Sequence, residues 1–216
     1  MYIDGNVIAS SSNIKSLGVT LDSSLSLDIH TSNICKTCLF YLYWISKIRR
    51  YLTLEAAKTL VQAHVISRLD YCNAILINIP KFMIERMQKI MNIAARIILQ
   101  IPRDSSVTNA FIKLHWLKVN ERNQFKVLCI TWKALHGMTP AYISNRLKLY
   151  TPSRNLQSEN SYNLCVPRSR TRFGDRAFSQ AAPQLWNSLP IDIRKQTTFP
   201  AFKRHLKTYL FKNMIK

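Results

Sequence analysis

Glycine and acidic residues are scarce in this chain of 216 residues, which has 4 Gly and 11 Asp and Glu. No GxxxxGK run occurs, so the sequence lacks the phosphate-binding loop of P-loop nucleotide-binding proteins. No two acidic residues are adjacent, so the sequence offers no obvious ligands for two-metal phosphoryl transfer. The 5 histidines show neither HExxH nor HxH spacing. The sequence therefore contains few of the groups that catalysis needs, and no catalytic residue is assigned.

Metal-binding and disulfide patterns are also missing. The 5 cysteines are an odd number with apolar neighbours. Cys35 and Cys38 have CxxC spacing with His30 nearby, but a structural zinc site needs four ligands and no second pair exists. Because both lie on a helical apolar stripe, they are more typical of a core. We therefore expect free thiols in a reducing, intracellular compartment (nucleus or cytoplasm), with no metal and no cofactor.

Long hydrophobic runs are absent as well. The longest uncharged stretches, Thr37–Ser46 and Tyr71–Pro80, are about half of the ~20 residues that a membrane-spanning helix needs. No signal peptide, internal repeat or low-complexity tract is visible. We therefore expect no membrane-embedded part.

Positive charge is what the sequence has in excess. There are 31 Lys and Arg, giving a net charge of +20 and a pI of about 10.1. Residues 1–100 have a net charge of +5 and residues 101–216 a net charge of +15. Charge of this size on a short chain favours a polyanionic partner, with nucleic acid first and an anionic membrane second. A merely basic surface is the alternative.

The clearest secondary-structure signal is an amphipathic helix over Phe82–Gln100, between Pro80 and Pro102. One of its faces is polar and includes Lys89, Asn92 and Arg96. The other is apolar at helical spacing, which predicts a core-facing side. The predicted apolar residues are Met83, Met87, Ile90, Met91, Ala94, Ile97, Ile98 and Ile101.

Short strands are predicted only at the start of the sequence. Met1–Asp4 and Asn6–Ala9 alternate around an Asp4-Gly5-Asn6 turn, and Ile14–Leu21 is a third predicted strand with Gly18 inside it. Three strands followed by helices cannot close a sheet of useful size. They are typical of the end of a sheet whose remainder is missing.

Helices are predicted over most of the remaining chain, so the fold class is mostly α with a small N-terminal β remnant and a basic, α-rich C-terminal region. Asp28, Thr53, Asn120 and Thr139 are predicted N-caps, and Gly137 is a predicted helix end. The remaining predicted elements are helices over Asp28–Arg50, Thr108–Leu114, Asn120–Gly137, Pro140–Leu147 and Pro200–Phe211, a short helix in Ala177–Pro190 interrupted at Pro183, a loop over Leu149–Glu159 and a strand over Asn163–Pro167.

The densest basic run predicts a nucleic-acid contact. Arg168, Arg170 and Arg172 alternate, which on an extended segment places them on one side about 6.6 Å apart. That spacing is similar to that of successive phosphates on a nucleic-acid strand, and the arginine fork binds phosphate in a bidentate way. Arg176 ends the same run. A solvated basic loop is the alternative.

Two helical pairs are secondary candidates for backbone contacts. They are Lys89 with Arg96 on the Phe82–Gln100 helix, and Arg122 with Lys126 on the helix that follows Asn120. Ordinary exposed helix faces are the alternative for both pairs.

Six sequence motifs, in this order, resemble the C-terminal third of reverse transcriptases from non-LTR, LINE-type, jockey-like retrotransposons. The resemblance covers nearly the whole chain. The motifs are LGVTLD (Leu17–Asp22), SRLDYCN (Ser67–Asn73), QKIMNIAAR (Gln88–Arg96), LHWLKVNERNQFK (Leu114–Lys126), VPRSRTRFGDRAFS (Val166–Ser179) and LWNSLP (Leu185–Pro190).

The resemblance implies a division into four parts. Residues 1–26 would be a remnant of the palm sheet, residues 27–104 a helical thumb that holds a template–primer duplex, residues 105–148 post-thumb helices and residues 149–216 a basic C-terminal region. The Lys89–Arg96 face would then meet the duplex backbone. The catalytic aspartates of that family lie upstream of the LGVTLD motif and are absent here.

The expected function is therefore binding of RNA or an RNA–DNA hybrid by a truncated reverse transcriptase, without polymerase activity of its own. Two alternatives remain. The chain is a non-catalytic subunit that completes a reverse transcriptase with a separate palm-bearing chain, or it is an inert remnant of a decayed element.

Overall fold

The computed structural model describes residues 2–3, 6–7, 11–150, 162–171 and 173–215. In these ranges helices dominate and the antiparallel strands are short and lie near the start, so the predicted fold class is confirmed. The chain packs as two units. Unit 1 comprises Met1–Cys72 and Pro80–Arg103, and unit 2 comprises Asn73–Ile79 and Asp104–Lys216. The finer four-part division at residues 26, 104 and 148 remains a prediction.

The strands form two small hairpins rather than three successive strands. β1 (Tyr2–Ile3) pairs with β2 (Asn6–Val7), and β3 (Asn13–Ser16) pairs with β4 (Val19–Asp22). Asp4 and Gly5, the centre of the predicted first turn, lie outside the described residues.

The prediction of one continuous strand over Ile14–Leu21 was wrong. Leu17 and Gly18 form a two-residue turn with φ of 45° and 82°, and Ser16 pairs with Val19 across it. Positive φ at both central residues matches the twist of the flanking strands, which is why such turns close hairpins. Tyr71 Oη also donates to the Leu17 carbonyl oxygen at 2.6 Å, which fixes the turn.

The described part of unit 1 contains four α-helices. They are α1 (Asp28–Ile48), α2 (Leu54–Val61), α3 (Ser67–Asp70) and α4 (Lys81–Leu99), with a 3-10 turn at Arg49–Tyr51 and a π-helical turn at Gln62–Ile66. The core is formed mainly by one face of α1, α2 and α4. Its fully buried members include Cys38, Ala57, Val61, Val65, Met87, Met91, Ala94 and Ile98.

The predicted caps of α1 and α2 had different outcomes. Thr53 caps α2 as predicted, because its side chain accepts from the Ala56 N–H at 3.2 Å. Asp28 is the first residue of α1 rather than its cap, and Leu27 holds the cap position with φ of 63°. The Asp28 carboxylate instead pairs with Arg86 of α4 at 3.1 Å.

Helix α4 confirms the amphipathic prediction within one residue at each end. Met83, Met87, Ile90, Met91, Ala94 and Ile98 are buried as predicted, while Ile97 and Ile101 are half-buried. The helix ends at Gln100, whose φ of 52° turns the chain and whose N–H donates to the Arg96 carbonyl. Pro102 follows in the next segment.

Unit 2 contains the remaining helices. They are α5 (Thr108–Leu114), α6 (Val119–Leu135), α7 (Ala141–Ser144), α8 (Phe178–Asn187), α9 (Ile191–Arg194) and α10 (Phe199–Ile215), with 3-10 turns at Asn73–Leu76 and Gly174–Arg176. The core packs α6, α8 and α10 around aromatic rings. Its fully buried large side chains are Leu128, Trp132, Leu164, Trp186, Phe202 and Leu206.

Several predicted boundaries in unit 2 need correction. Lys118 rather than Asn120 occupies the N-cap position of α6, without a capping side-chain hydrogen bond, whereas Gly137 follows the helix with φ of 68° as predicted. Thr139 does not cap α7, since its buried hydroxyl has no partner among the described residues. α7 stops at Ser144 rather than Leu147.

The C-terminal predictions were also too coarse. Pro183 lies inside a continuous α8, because losing one backbone bond is tolerated where Ala181, Ala182 and Trp186 are buried on the same helix. α10 extends to Ile215. The predicted strand over Asn163–Pro167 is reduced to one bridge between Leu149 and Leu164. Residues 151–159, most of the predicted loop, lie outside the described part.

Candidate nucleic-acid interface

Arg168 and Arg170 lie on the surface of unit 2, and both side chains are exposed. The described residues around them form no strand. Ser169 Oγ donates to the Thr171 carbonyl at 3.0 Å and accepts from the Thr171 N–H at 3.4 Å, so the segment makes a local turn. The predicted alternation of three arginines along an extended segment is therefore not seen for this pair. Arg172 lies outside the described residues.

A second turn follows and contains Arg176. Thr171 Oγ1 accepts from the Gly174 N–H at 2.9 Å, and the Thr171 carbonyl accepts from the Asp175 N–H. A Cβ on Gly174 would lie 2.4 Å from Ser169 Oγ, so the two turns pack closely. Arg176 is half-buried and makes contacts within the protein. It is therefore less available to a ligand than Arg168 or Arg170.

The α6 pair divides into a structural arginine and an exposed lysine. Arg122 Nε donates to the Leu117 carbonyl at 2.9 Å, and its guanidinium lies 6.0 Å from the Trp116 ring centroid. These contacts hold the segment that enters α6. Lys126, one turn later, is exposed. Of the two, Lys126 is the better placed to meet phosphate.

The α4 pair divides in the same way. Lys89 is exposed, whereas Arg96 is half-buried and has contacts within the protein. Asn92, between them, accepts from Gln88 Nε2 at 2.8 Å. Lys89 is therefore the accessible cation of the predicted line. These α4 residues belong to unit 1, and the α6 and Arg168–Arg170 residues belong to unit 2.

Few of the basic residues are neutralised within the protein. Ion pairs among the described residues include Lys58–Glu55, Lys81–Glu85 and Arg86–Asp28, and 11 Asp and Glu cannot neutralise 31 Lys and Arg. The other exposed Lys and Arg side chains thus contribute to an uncompensated positive field. Such a field attracts polyanions and weakens as salt screens it.

A basic groove on α9 and α10 was not assigned from the sequence. It has a volume of about 370 Å³ and is lined by Ile193, Arg204, His205, Thr208, Tyr209 and Lys212. The sequence indicates the basic character of this region, because Arg204, Lys207 and Lys212 recur on the outer face of the C-terminal helix. The sequence could not show that the helix also borders a groove.

Unit 1 has a larger open pocket of about 510 Å³ beside the β3–β4 hairpin. Its lining includes Lys15, Thr20, His30, Asn33, Arg68 and Tyr71. His30 is buried, and its Nδ1 accepts from the Thr20 N–H at 3.4 Å. Desolvation lowers the pKa of His30, which keeps its ring neutral at pH 7. Lys15 and Arg68 supply the charge of this pocket.

The cysteines lie where the helical stripe predicted. Cys35 and Cys38 are buried on the core face of α1, and Cys129 is buried on α6. Burial raises the pKa of Cys38 to about 12 and that of Cys129 to about 11, so both stay protonated. In the described part of the chain, no group of three or more His, Cys, Asp or Glu is arranged to hold a metal ion.

Every helix among the described residues is too short or too polar to cross a lipid bilayer.

No protein-family model, curated protein or solved structure matches this chain.

Proposed function

We propose that this chain binds RNA or an RNA–DNA hybrid through phosphate contacts, and that it derives from the thumb and C-terminal region of a non-LTR retrotransposon reverse transcriptase. The observation that carries the binding proposal is the imbalance of charge. Thirty-one Lys and Arg face 11 Asp and Glu, so most of the cations have no carboxylate to neutralise them. The proposed origin rests on the six sequence motifs.

The accessible cations define the proposed contacts. Arg168 and Arg170 are exposed on a surface turn, Lys126 is exposed on α6, and Lys89 is exposed on α4. Arg122, Arg176 and Arg96 are half-buried and interact within the protein, so they are not among the proposed contacts. Phosphate contacts of this kind give affinity without sequence specificity.

Salt dependence tests the binding proposal. Fluorescence anisotropy is measured with a labelled single-stranded RNA and an RNA–DNA hybrid of equal length, at several KCl concentrations. Each neutralised phosphate contributes about −0.9 to the log–log slope on a duplex and about −0.7 on a single strand. A slope near zero, or no binding at low salt, would refute the proposal.

A matched pair of variants tests the arginine site. The double variant Arg168→Ala/Arg170→Ala removes two exposed, unpaired cations. The control Lys58→Ala/Lys81→Ala removes the same charge from lysines already paired with Glu55 and Glu85. We expect the arginine variant to lose more affinity and to show a shallower salt slope. Equal losses would mean that net charge alone drives binding.

Primer extension tests the proposed lack of polymerase activity. The chain alone, given a primed RNA template, Mg²⁺ and deoxynucleotides, should yield no product. The expectation rests on the lack of an adjacent acidic pair in the sequence. Extension by the purified chain would contradict it.

A further inference from the structure

The outer face of α1 carries a group of exposed aromatic rings. Phe40 is 59% exposed, and Tyr43 and Trp44 are each 55% exposed. Tyr51, in the 3-10 turn that follows the helix, is 74% exposed. At 3.6 residues per turn Phe40, Tyr43 and Trp44 lie on the side of α1 opposite its buried core face, and Tyr51 follows the end of the helix. They are referred to below as the aromatic face.

The rings of Phe40, Tyr43 and Trp44 are in contact without parallel stacking. Phe40 and Trp44 meet edge to face with centroids 6.3 Å apart, and Tyr43 and Trp44 do so at 5.5 Å. An edge-to-face pair leaves ring surface accessible to a third planar group. Leu39 and Ile48, 46% and 44% exposed, extend the apolar area on both sides. Contiguous exposed apolar surface of this kind marks an interaction site.

The charge around the aromatic face has one sign. Lys36, Lys47 and Arg50 are exposed beside the rings, and residues 29–54 contain neither Asp nor Glu. Lys47 Nζ lies 5.2 Å from the Tyr43 centroid, and the Arg50 guanidinium lies 4.7 Å from that of Tyr51. Each ring–cation pair therefore offers a flat apolar surface next to a positive charge.

An occupant must match both properties. A neutral apolar protein surface would cover the rings but would desolvate three unpaired cations. A nucleic-acid duplex would supply phosphates but keeps its bases stacked inside. A single strand supplies both, because its unpaired bases present π-faces and its backbone carries one negative charge per phosphate.

We propose that the aromatic face is a stacking platform for the unpaired bases of single-stranded nucleic acid, with Lys36, Lys47 and Arg50 contacting its phosphates. The proposal rests on the proposed nucleic-acid binding and adds a second site in unit 1 with a distinct chemistry. Stacking is tolerant of sequence, since every base has a π-face. Binding at this site therefore distinguishes single from double strands rather than one sequence from another.

The experiment compares two ligands of equal charge. One is a labelled oligothymidylate, and the other is an abasic strand of the same length with the same phosphates. The wild-type chain should bind the base-bearing strand more tightly. Each stacked base contributes about 5- to 150-fold in affinity. Phe40→Ala and Trp44→Ala should each lose a factor in that range for the base-bearing strand and little for the abasic strand.

Two control variants distinguish stacking from general effects. Trp44→Phe keeps a ring and should retain most of the preference for bases. Tyr142→Ala removes a ring of 72% exposure on α7, in the other unit, and should change neither affinity. Circular dichroism of each variant should match the wild type, because the substituted side chains are exposed.

Tryptophan fluorescence gives a direct readout of stacking. Trp44 is exposed, while Trp132 and Trp186 are each 1% exposed. Addition of oligothymidylate should quench an emission component that is missing in Trp44→Ala. The abasic strand should leave that component unchanged.

The outcomes separate this inference from the proposed function. If the abasic strand binds as tightly as the base-bearing strand, or if Phe40→Ala and Trp44→Ala match the wild type on both, the platform is refuted while phosphate binding stands. If the wild type dimerises and Trp44→Ala does not, with unchanged preference for bases, the face binds a second copy and the inference is also refuted. If neither strand binds the wild type at low salt, the platform is refuted, and the titrations with RNA and the RNA–DNA hybrid decide the proposed function separately.

Discussion

The guanidinium of Arg49 caps helix α4, donating from Nη2 to the carbonyl oxygen of Ile98 at 2.7 Å. Its Nε also donates to the Ile97 carbonyl at 3.0 Å, and Nη1 donates to the Leu52 carbonyl at 2.8 Å. The last carbonyls of a helix lack partners within the helix and carry partial negative charge. One arginine from the end of α1 thus satisfies carbonyls at the end of α4.

We expect Arg49→Ala to destabilise unit 1 by about 2–3 kcal/mol, because it leaves part-buried carbonyls without charged donors. Urea unfolding followed by circular dichroism measures the loss. Arg50→Ala is the matched control, since Arg50 is exposed and contacts the Tyr51 ring, and should cost under about 1 kcal/mol. Similar losses for both variants would show that the carbonyl contacts are not stabilising.

We expect stability to depend on Asp22 in a pH-sensitive way. Its carboxylate accepts from the Ser24 hydroxyl at 2.6 Å, from the Ser26 N–H at 2.9 Å and from the Leu27 N–H at 2.9 Å. The Ser24 hydrogen bond, followed by those from Ser26 and Leu27, holds the pKa of Asp22 well below its usual range. The charged carboxylate therefore stabilises the loop that leads into α1.

Because the pKa of Asp22 is lower in the folded than in the unfolded chain, ionisation of this carboxyl group raises the free energy of unfolding. The stabilisation by the ionised Asp22 carboxylate is fully present above the pKa of this group in the unfolded chain, about 3.9. It is lost as the pH falls toward the lower pKa in the folded chain. Asp22→Ala should lower the free energy of unfolding at pH 7 by about 1–2 kcal/mol, because the Ser26 and Leu27 N–H groups lose a charged acceptor, and the difference from wild type should shrink below pH 4. Asp104→Ala, at an exposed turn, is the control. A difference that is constant with pH would contradict the assignment.

We expect two of the five thiols to react rapidly with a disulfide reagent at pH 8. Cys72 and Cys165 are exposed, whereas Cys35, Cys38 and Cys129 are buried. Burial raises the pKa of all three buried thiols, which removes the reactive thiolate. Denaturant should release the other three. Cys72→Ser and Cys165→Ser should each remove one fast equivalent, and a third fast thiol in the native wild type would contradict the assignment.

We expect Gly18→Ala to destabilise the β3–β4 hairpin by about 1–2 kcal/mol, since an L-residue at φ of 82° is strained. Gly18→Asn should cost less, because Asn tolerates the left-handed region better than Ala. A Cβ at this position would lie 3.4 Å from the Tyr71 ring, so space alone does not forbid either side chain. Thermal unfolding compares the two variants, and equal losses would point to crowding rather than backbone strain.

Sequence reasoning succeeded where the signal is local. The α4 stripe follows helical periodicity over five turns, and Gly137 and Thr53 occupy positions that favour helix ends. It failed at Leu17–Gly18, because the turn lacks the usual Asn-Gly signal and a leucine adopts positive φ. It also failed at Pro183, where tertiary packing outweighs the lost backbone bond.

The sequence predicted which basic residues belong to the candidate site. It did not predict which of them are exposed and which are held by contacts within the protein. Lys89, Lys126, Arg168 and Arg170 are exposed, as a charged face requires. Arg122 donates to a backbone carbonyl, a contact that depends on the segment folding back before α6. The aromatic face was missed because Tyr and Trp at helical spacing usually pack in a core. The structure shows which side of α1 is buried, and therefore which of its rings are exposed.

The segment Asn73–Ile79 belongs to unit 2, although in the sequence it follows α3 and precedes α4, which both belong to unit 1. Ile77 is buried with Val127, Ala181 and Ala182, and Asn123 Nδ2 donates to the Leu76 carbonyl at 3.3 Å. On a ribosome, this segment would emerge about a hundred residues before α8, its packing partner. Its contacts with α6 can form earlier, but its packing is complete only after α8 is made, and no single cut in the chain separates the two units from each other. Long-range closure of this kind slows folding and exposes the chain to aggregation.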